Sequence, residues 1–204
     1  MPVVTDIKRQ RRVGSTRFNI LLDGEYAFAL SDLELSNSGL RVGQELSAHE
    51  VEEFRGQAGE AKAYTLALRF LEIRLRSRRE LLDYLVVRKA CERNEAELAL
   101  ARLEGLGLID DLKFAQAWIA DRQAVRPRSK IRLAQELAAK GISRDVADQA
   151  LAAVDLESEV VVLRKLIERK RRLPAYRDQQ KLTNYLMRQG YRYDLIKEAL
   201  EDIE

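Results

Sequence analysis

One cysteine and one histidine in 204 residues are too few for an internal disulfide or for a metal cluster built on imidazole and thiolate. Cys91 therefore reads as a structural thiol, and His49 as a polar residue on the first turn of a helix. Three prolines and ten glycines exclude collagen-like and low-complexity chains, and 46% hydrophobic residues are too many for a disordered one. Aromatics are scarce, at 6%. No run approaches the roughly 18 consecutive apolar residues of a membrane span. Residues 1–10 hold no apolar stretch before a small-residue cleavage site, so no membrane partner is expected and the expected compartment is the cytoplasm. An excess of one charge is missing too: 36 Lys and Arg against 33 Asp and Glu leave +3. A polyanionic partner has to be argued from where the charges sit.

What is present divides the chain in two. Up to about residue 58, Val3 to Gln10 and Thr16 to Leu22 mix β-branched, aromatic and polar residues. Asp23-Gly24 ahead of Glu25 to Leu30 is a hairpin signal, because Gly supplies a positive φ between two extended runs. A sheet of three strands is predicted, then a short helix at Ser47, where Ser47 and Glu50 form a capping box, and a joint at Gly56 and Gly59. From Ala61 onward the apolar period is helical, as in Leu68, Leu71 and Leu75, then Leu81 and Leu85, then Leu133 and Leu137.

The helical part repeats itself. Arg76 to Leu85, Arg128 to Leu137 and Arg177 to Leu186 share one template at offsets of 52 and 49 residues: an Arg, then Ser77, Ser129 or Asp178 as a helix cap, then Leu at four-residue spacing. Copies two and three end on Gly141 and Gly190, suited to a left-handed C-terminal cap, where copy one has Lys89-Ala90. The predicted fold is mainly α: tandem three-helix repeats at 61–108, 110–154 and 156–203 forming a short curved solenoid, with a β-rich module at 1–58.

Residues that carry chemistry are few. Asp110 and Asp111 are the one tempting acidic pair, yet metal-assisted hydrolysis needs further ligands from elsewhere. They open a helix that contains Phe114 and Trp118, so one reads as its cap and the other as a charge at its positive end. Gly105-Leu106-Gly107 lacks the third glycine of a dinucleotide fingerprint and lies at a helix end, and no Walker sequence exists. No catalytic, cofactor-binding or metal-binding residue is expected. Phe70, Tyr84, Phe114, Trp118 and Tyr185 fall on apolar faces and read as core, so they form no stacking platform with the bases.

Charge distribution is more informative. Residues 62–89 carry eight bases to three acids, 164–172 six bases to one acid, and 122–132 five bases and no acid, whereas 92–121 carry seven acids to three bases. Stacked repeats would align the bases along one side. The candidate binding surface is Arg69, Arg74, Arg76, Arg78, Arg79, Arg88 and Lys89, then Arg126, Arg128, Lys130, Arg132 and Lys140, then Arg169, Lys170 and Arg171. Lys8, Arg9, Arg11 and Arg12 of the first module lie outside the repeats. Alternatively, such charges merely solvate helix exteriors.

Leu103 to Trp118 reads Leu-x-x-x-Gly-Leu-Ile-Asp-Asp-x-x-Phe-Ala-x-x-Trp, and in this it resembles the RecX family, bacterial regulators of the RecA recombinase. Ile131 to Ile142, Lys181 to Tyr191 and Leu81 to Leu85 are similar to further family segments, and Leu22 to Phe28 resembles the extension of longer members. Pro127 and Ser129 replace an expected glycine-containing joint. In that resemblance Asp110, Asp111, Phe114, Trp118, Gly141 and Gly190 are structural motif positions. It implies a non-enzymatic protein that binds RecA and its nucleoprotein filament and lowers ATPase, strand-exchange and co-protease activities. The charge pattern itself predicts weak, non-specific DNA binding, and a solenoid with a polar exterior needs no second subunit. The alternatives are a sequence-independent DNA-binding module acting without RecA, and a helical scaffold for an unrelated protein.

Overall fold

The structure, a computed structural model, describes residues 1–11, 16–125, 128–153 and 159–201. Arg12, Arg126, Pro127 and the predicted repeat limits at 154, 156 and 203 lie outside the described residues. The described chain packs as two compact units, 1–74 with 81–106 and 75–80 with 107–204. It is mainly helical, with one small sheet.

In the first unit, β1 (Val4–Arg9), β2 (Arg17–Leu22) and β3 (Glu25–Ser31) form an antiparallel sheet in the order β1-β2-β3. Asp23 and Gly24 take φ of 49° and 88°, the two positive values that a tight hairpin turn requires. One face buries Ile20, Leu22, Phe28 and Leu30 against Leu46, Val51 and Ala58. Helix α1 (Asp32–Ser38) and helix α2 (Ala48–Leu71) each begin on a complete capping box, Ser31 with Glu34 and Ser47 with Glu50. Each box satisfies two amide donors that the helix itself leaves open.

The expected short helix with a joint at Gly56 and Gly59 does not form; α2 continues unbroken for 24 residues. A helical glycine costs only about 1 kcal/mol, and here it fills a packing need. A Cβ on Gly59 would collide with the Glu95 carboxyl group, which lies on α4 (Arg93–Gly105). Of the buried residues of α2, Val51 and Ala58 belong to the sheet core, while Ala63 and Ala67 are small residues that let α4 approach. Leu68 and Leu71 are half-buried, and Leu75, beyond the helix end, is exposed.

Helix α3 (Arg78–Asp83) runs into a π-helical turn, Tyr84–Arg88. The second unit continues with α5 (Asp111–Val125), α6 (Lys130–Ala139), α7 (Arg144–Ala153), α8 (Glu159–Arg171), a 3₁₀ turn at Pro174–Tyr176, α9 (Gln179–Arg188) and α10 (Tyr193–Glu201). Its two cores correspond position by position. Leu133, Leu137, Ile142, Ala147 and Ala150 of one lie 49 residues before Leu182, Leu186, Tyr191, Ile196 and Ala199 of the other. The same positions in the first repeat are Leu81, Leu85, Cys91, Ala96 and Ala99, all buried.

The π turn explains why the offset to repeat two is 52 before it and 51 after it: it inserts one residue. The bond that closes the helix end runs from Ile142 N–H to the Leu137 carbonyl and from Tyr191 N–H to Leu186, but from Cys91 N–H to Leu85, one residue longer. The left-handed position therefore falls on Ala90 (φ 50°), matching Gly141 (φ 81°) and Gly190 (φ 88°).

Candidate functional site

The second helices of the three repeats start alike, and two of the starts do more than cap. The Ser77 hydroxyl accepts the Glu80 amide N–H (3.2 Å) and donates to the Lys140 carbonyl (2.7 Å). Ser129 accepts the Arg132 amide N–H (3.2 Å) and donates to the Gln189 carbonyl (3.0 Å). Lys140 and Gln189 are the C-caps of α6 and α9, so each serine fastens its own helix start to the equivalent helix end of the next repeat. Both are fully buried, where an unpaired hydroxyl is costly. Asp178 caps α9 by accepting the Lys181 amide N–H (3.0 Å).

Close approach at these joints explains the glycines. A Cβ on Gly141 would strike the aliphatic stem of Arg79, and one on Gly190 would lie 2.6 Å from the Ser129 hydroxyl oxygen. The acidic pair belongs to the same neighbourhood. Asp110 caps α5 by accepting the Lys113 amide N–H (2.9 Å), and that bond holds its carboxyl below the usual carboxylate range. Asp111 accepts the Arg78 amide N–H (2.8 Å).

Among the predicted basic residues, Arg69, Arg74, Arg88 and Lys89 belong to the first unit and are exposed. The others that are described belong to the second. Arg79, Lys130, Arg132 and Arg169 are exposed there, while Arg76, Arg78, Arg128, Lys140, Lys170 and Arg171 are half-buried. Arg126 lies outside the described residues. The structure brings Arg128, Arg132 and Lys140 to one neighbourhood and joins them to two residues that the sequence reading did not select, Arg122 and Glu136.

Glu136 is the hub. Its Oε2 accepts the indole N–H of Trp118 (3.2 Å) and the Nε–H of Arg122 (3.0 Å), while its Oε1 lies 3.8 Å from the Nε atoms of both Arg128 and Arg132. The Arg128 Nε is buried and, among the described residues, has no hydrogen-bond partner, whereas its guanidinium NH1 donates to the Gln189 side chain. Arg122 lies 4.1 Å and Lys140 4.9 Å from the Trp118 ring centroid, and Lys140 is also paired to Glu80 at 2.7 Å. Trp118, Arg122, Val125, Arg128, Glu136, Ala139 and Lys140 line a depression of about 540 Å³.

The reading of five aromatics as core holds only for Phe114, 3% exposed. Phe70, Tyr84, Trp118 and Tyr185 are half-buried, because each sits at the rim of its repeat. Cations cover several of their faces: Lys89 lies 5.4 Å from the Tyr84 centroid, and Lys170 lies 4.5 Å and 5.0 Å from those of Tyr185 and Tyr176. Phe70 stacks on Tyr84, with centroids 3.9 Å apart. Such ring and cation pairs were missed because i to i+4 periodicity finds the buried stripe and not its edge. The repeat alignment contained a signal, since Tyr84, Glu136 and Tyr185 occupy one template position.

Comparison with known proteins agrees with this architecture. Residues 110–151 match the family description RecX, second three-helix domain, and residues 157–200 match RecX, third three-helix domain. The chain is 31% identical over 211 residues to Regulatory protein RecX of Halalkalibacterium halodurans, covering all of this chain and 79% of that one. It is 30% identical over 208 residues to Regulatory protein RecX of Bacillus subtilis, covering all of this chain and 78% of that one. A crystal structure described as regulatory protein RecX superposes with a TM-score of 0.70 at 27% identity, over 97% of this chain and 100% of that one. RecX from Lactobacillus salivarius shares the fold, with a TM-score of 0.62 at 24% identity over 71% of this chain and 96% of that one. A match over the whole of this chain at this identity to proteins named as regulators, with the repeat architecture in register, is decisive: the chain belongs to the RecX family of regulatory proteins.

Proposed function

We propose that this protein is a non-enzymatic regulator that binds the RecA recombinase and its DNA filament and lowers ATPase, strand-exchange and co-protease activities, thereby modulating DNA repair and the SOS response. The observation that carries the reading is the similarity, over the whole of this chain and about four fifths of theirs, to proteins named Regulatory protein RecX. Geometry supports it through charge and repetition. Equivalent helix starts, with bases beside them at Arg76 to Arg79, Arg128 to Arg132 and Arg177, offer similar contacts to a partner that repeats along its length. In this reading the domains are 1–58 and the repeats 61–108, 110–154 and 156–203, the protein acts as a monomer in the cytoplasm, and it needs no cofactor. Among the described residues no helix is long and apolar enough to cross a membrane.

The test is RecA-catalysed ATP hydrolysis on single-stranded DNA with increasing amounts of this protein. A dose-dependent fall in rate supports the proposal; an unchanged rate at stoichiometric excess refutes it. A second reading, sequence-independent DNA binding without RecA, is favoured by the ring and cation pairs at Tyr84, Trp118 and Tyr185, a combination suited to single strands. It predicts equal binding to bare and RecA-coated DNA.

A further inference from the structure

We propose that the depression around Glu136 is a subsite for one nucleotide of a single strand, and that the Glu136 carboxylate is its built-in competitor, occupying the place of a phosphate. The proposal rests on the reading that the repeats contact nucleic acid, and it adds where one contact is made and what holds it in check.

Charge is the first argument. Three guanidinium groups, of Arg122, Arg128 and Arg132, converge on Glu136, with the Lys140 ammonium on the same depression. Asp121 also pairs with Arg122 at 3.1 Å and Glu80 with Lys140 at 2.7 Å, while among the described residues Glu136 is the one carboxylate paired with Arg128 and Arg132. Glu136 does not satisfy that set. Among the described residues both hydrogen bonds of its carboxylate go to Oε2, and Oε1 stands 3.8 Å from two guanidinium nitrogens, beyond hydrogen-bonding reach. The Arg128 Nε has no acceptor among the described residues. A phosphodiester brings two unbridged oxygens and matches guanidinium donors in pairs.

Comparison among the repeats is the second argument. The position of Glu136 holds Tyr84 in repeat one and Tyr185 in repeat three. Phe70, Arg122 and Arg171 correspond in the same way on the preceding helix. Repeat one thus closes this spot with a ring stack, repeat two with an ion pair at 3.0 Å. At this template position only repeat two carries a carboxylate, and there it meets Arg122, Arg128 and Arg132.

The indole decides the class of ligand. Arg122 and Lys140 cover the Trp118 ring at 4.1 Å and 4.9 Å, and turning them toward an incoming anion bares its face. A nucleotide supplies both an anion and a flat ring to fill that face. An acidic peptide supplies only the anion.

Trp118 is the single tryptophan of the chain, so its fluorescence reports this site alone. The experiment titrates a 20-nucleotide oligo-dT into the 204-residue chain, reading tryptophan emission and, with a labelled strand, anisotropy. Emission should change in step with anisotropy, and polyglutamate at equal charge should leave emission unchanged. Glu136→Gln should bind about two- to fivefold more tightly, the loss of one exposed-type ion-pair competitor. Its log-log salt slope should be steeper by about 0.7 for each guanidinium released to a phosphate. Binding by anisotropy with silent tryptophan, an equal response to polyglutamate, or a folded Glu136→Gln with unchanged affinity and slope each overturns the subsite while leaving the parent reading intact. Failure of the wild type to bind DNA, bare or RecA-coated, refutes that parent reading. Should Glu136→Gln lose its helical circular dichroism, Glu136→Tyr and Arg122→Gln decide. The tyrosine, which repeats one and three carry, should tighten binding. Arg122→Gln should weaken it, and retention of full affinity by Arg122→Gln overturns the proposal.

Discussion

Ala90 takes φ 50° where its counterparts are Gly141 and Gly190, and a Cβ in that left-handed region costs about 1–2 kcal/mol. The strain follows from the one-residue π insertion just before it, which displaces the cap from Lys89 to Ala90. Ala90→Gly should therefore raise unfolding free energy by about 1 kcal/mol in urea melts. Gly190→Ala should lower it by more than the backbone term alone, because the new Cβ also meets the Ser129 hydroxyl at 2.6 Å. A stability-neutral Gly190→Ala would show that the joint is looser than its geometry. Cys91, next to Ala90, fills the apolar place that Ile142 and Tyr191 fill elsewhere, and burial pushes its thiol above the ordinary value. Iodoacetamide at pH 8 should label it slowly in the native protein and quickly in urea.

At the scale of elements, the serine caps are the joints of the second unit. Ser129→Ala removes a cap worth about 1 kcal/mol and leaves the Gln189 carbonyl without its donor, about 1 kcal/mol more. Ser77→Ala should cost as much, and Asp178→Ala about half, since Asp178 holds only its own helix start. Equal costs for all three in chemical denaturation would refute the double role. Helices α2 and α4 predict a pH effect. Glu95 packs on Gly59, and burial raises its carboxyl above the ordinary value, against a smaller opposing effect of the hydrogen bond from the Glu92 amide. A raised folded value means that the group's favourable contribution is complete below the unfolded value of about 4.3 and is lost as pH rises through the folded one. Glu95→Gln keeps the shape without the charge, so its melting temperature should match the wild type at pH below the unfolded value and exceed it at pH 7.

At the scale of the whole molecule, function is expected to be distributed. Reversing charge at Lys130 and Arg132, or at Arg169, Lys170 and Arg171, should each weaken inhibition of the RecA filament by a partial factor, and both together should nearly abolish it. One dead variant beside a wild-type neighbour, measured by the ATPase assay, would contradict this. If about four to six bases meet phosphates of a single strand, affinity for bare DNA should fall with a log-log salt slope of about −3 to −4, and a flat response would exclude phosphate-led binding. The first module is expected to alter affinity only; because α2 runs unbroken through residue 56, the test is charge reversal at Lys8, Arg9 and Arg11, which should weaken binding and leave inhibition at saturation intact.

What could be read from the sequence alone was local. The Asp23-Gly24 turn, the Ser47 box, the caps at Ser77, Ser129 and Asp178, and the leucines at 81 and 85, 133 and 137, and 182 and 186 are patterns within a few residues, where backbone geometry sets the spacing. Their recurrence at 52 and 49 residues carried the repeat architecture. Tertiary structure decided the rest. Ser77 meets Lys140 across 63 residues and Ser129 meets Gln189 across 60, and position 59 of α2 has no room for a side chain because Glu95 lies over it. The Glu136 hub gathers Trp118 and Arg122 from α5 with Arg128 and Arg132 near the start of α6. No local period marks such a meeting, because which exposed charges face each other depends on how two helices pack, and that packing is set by the buried leucines beneath them.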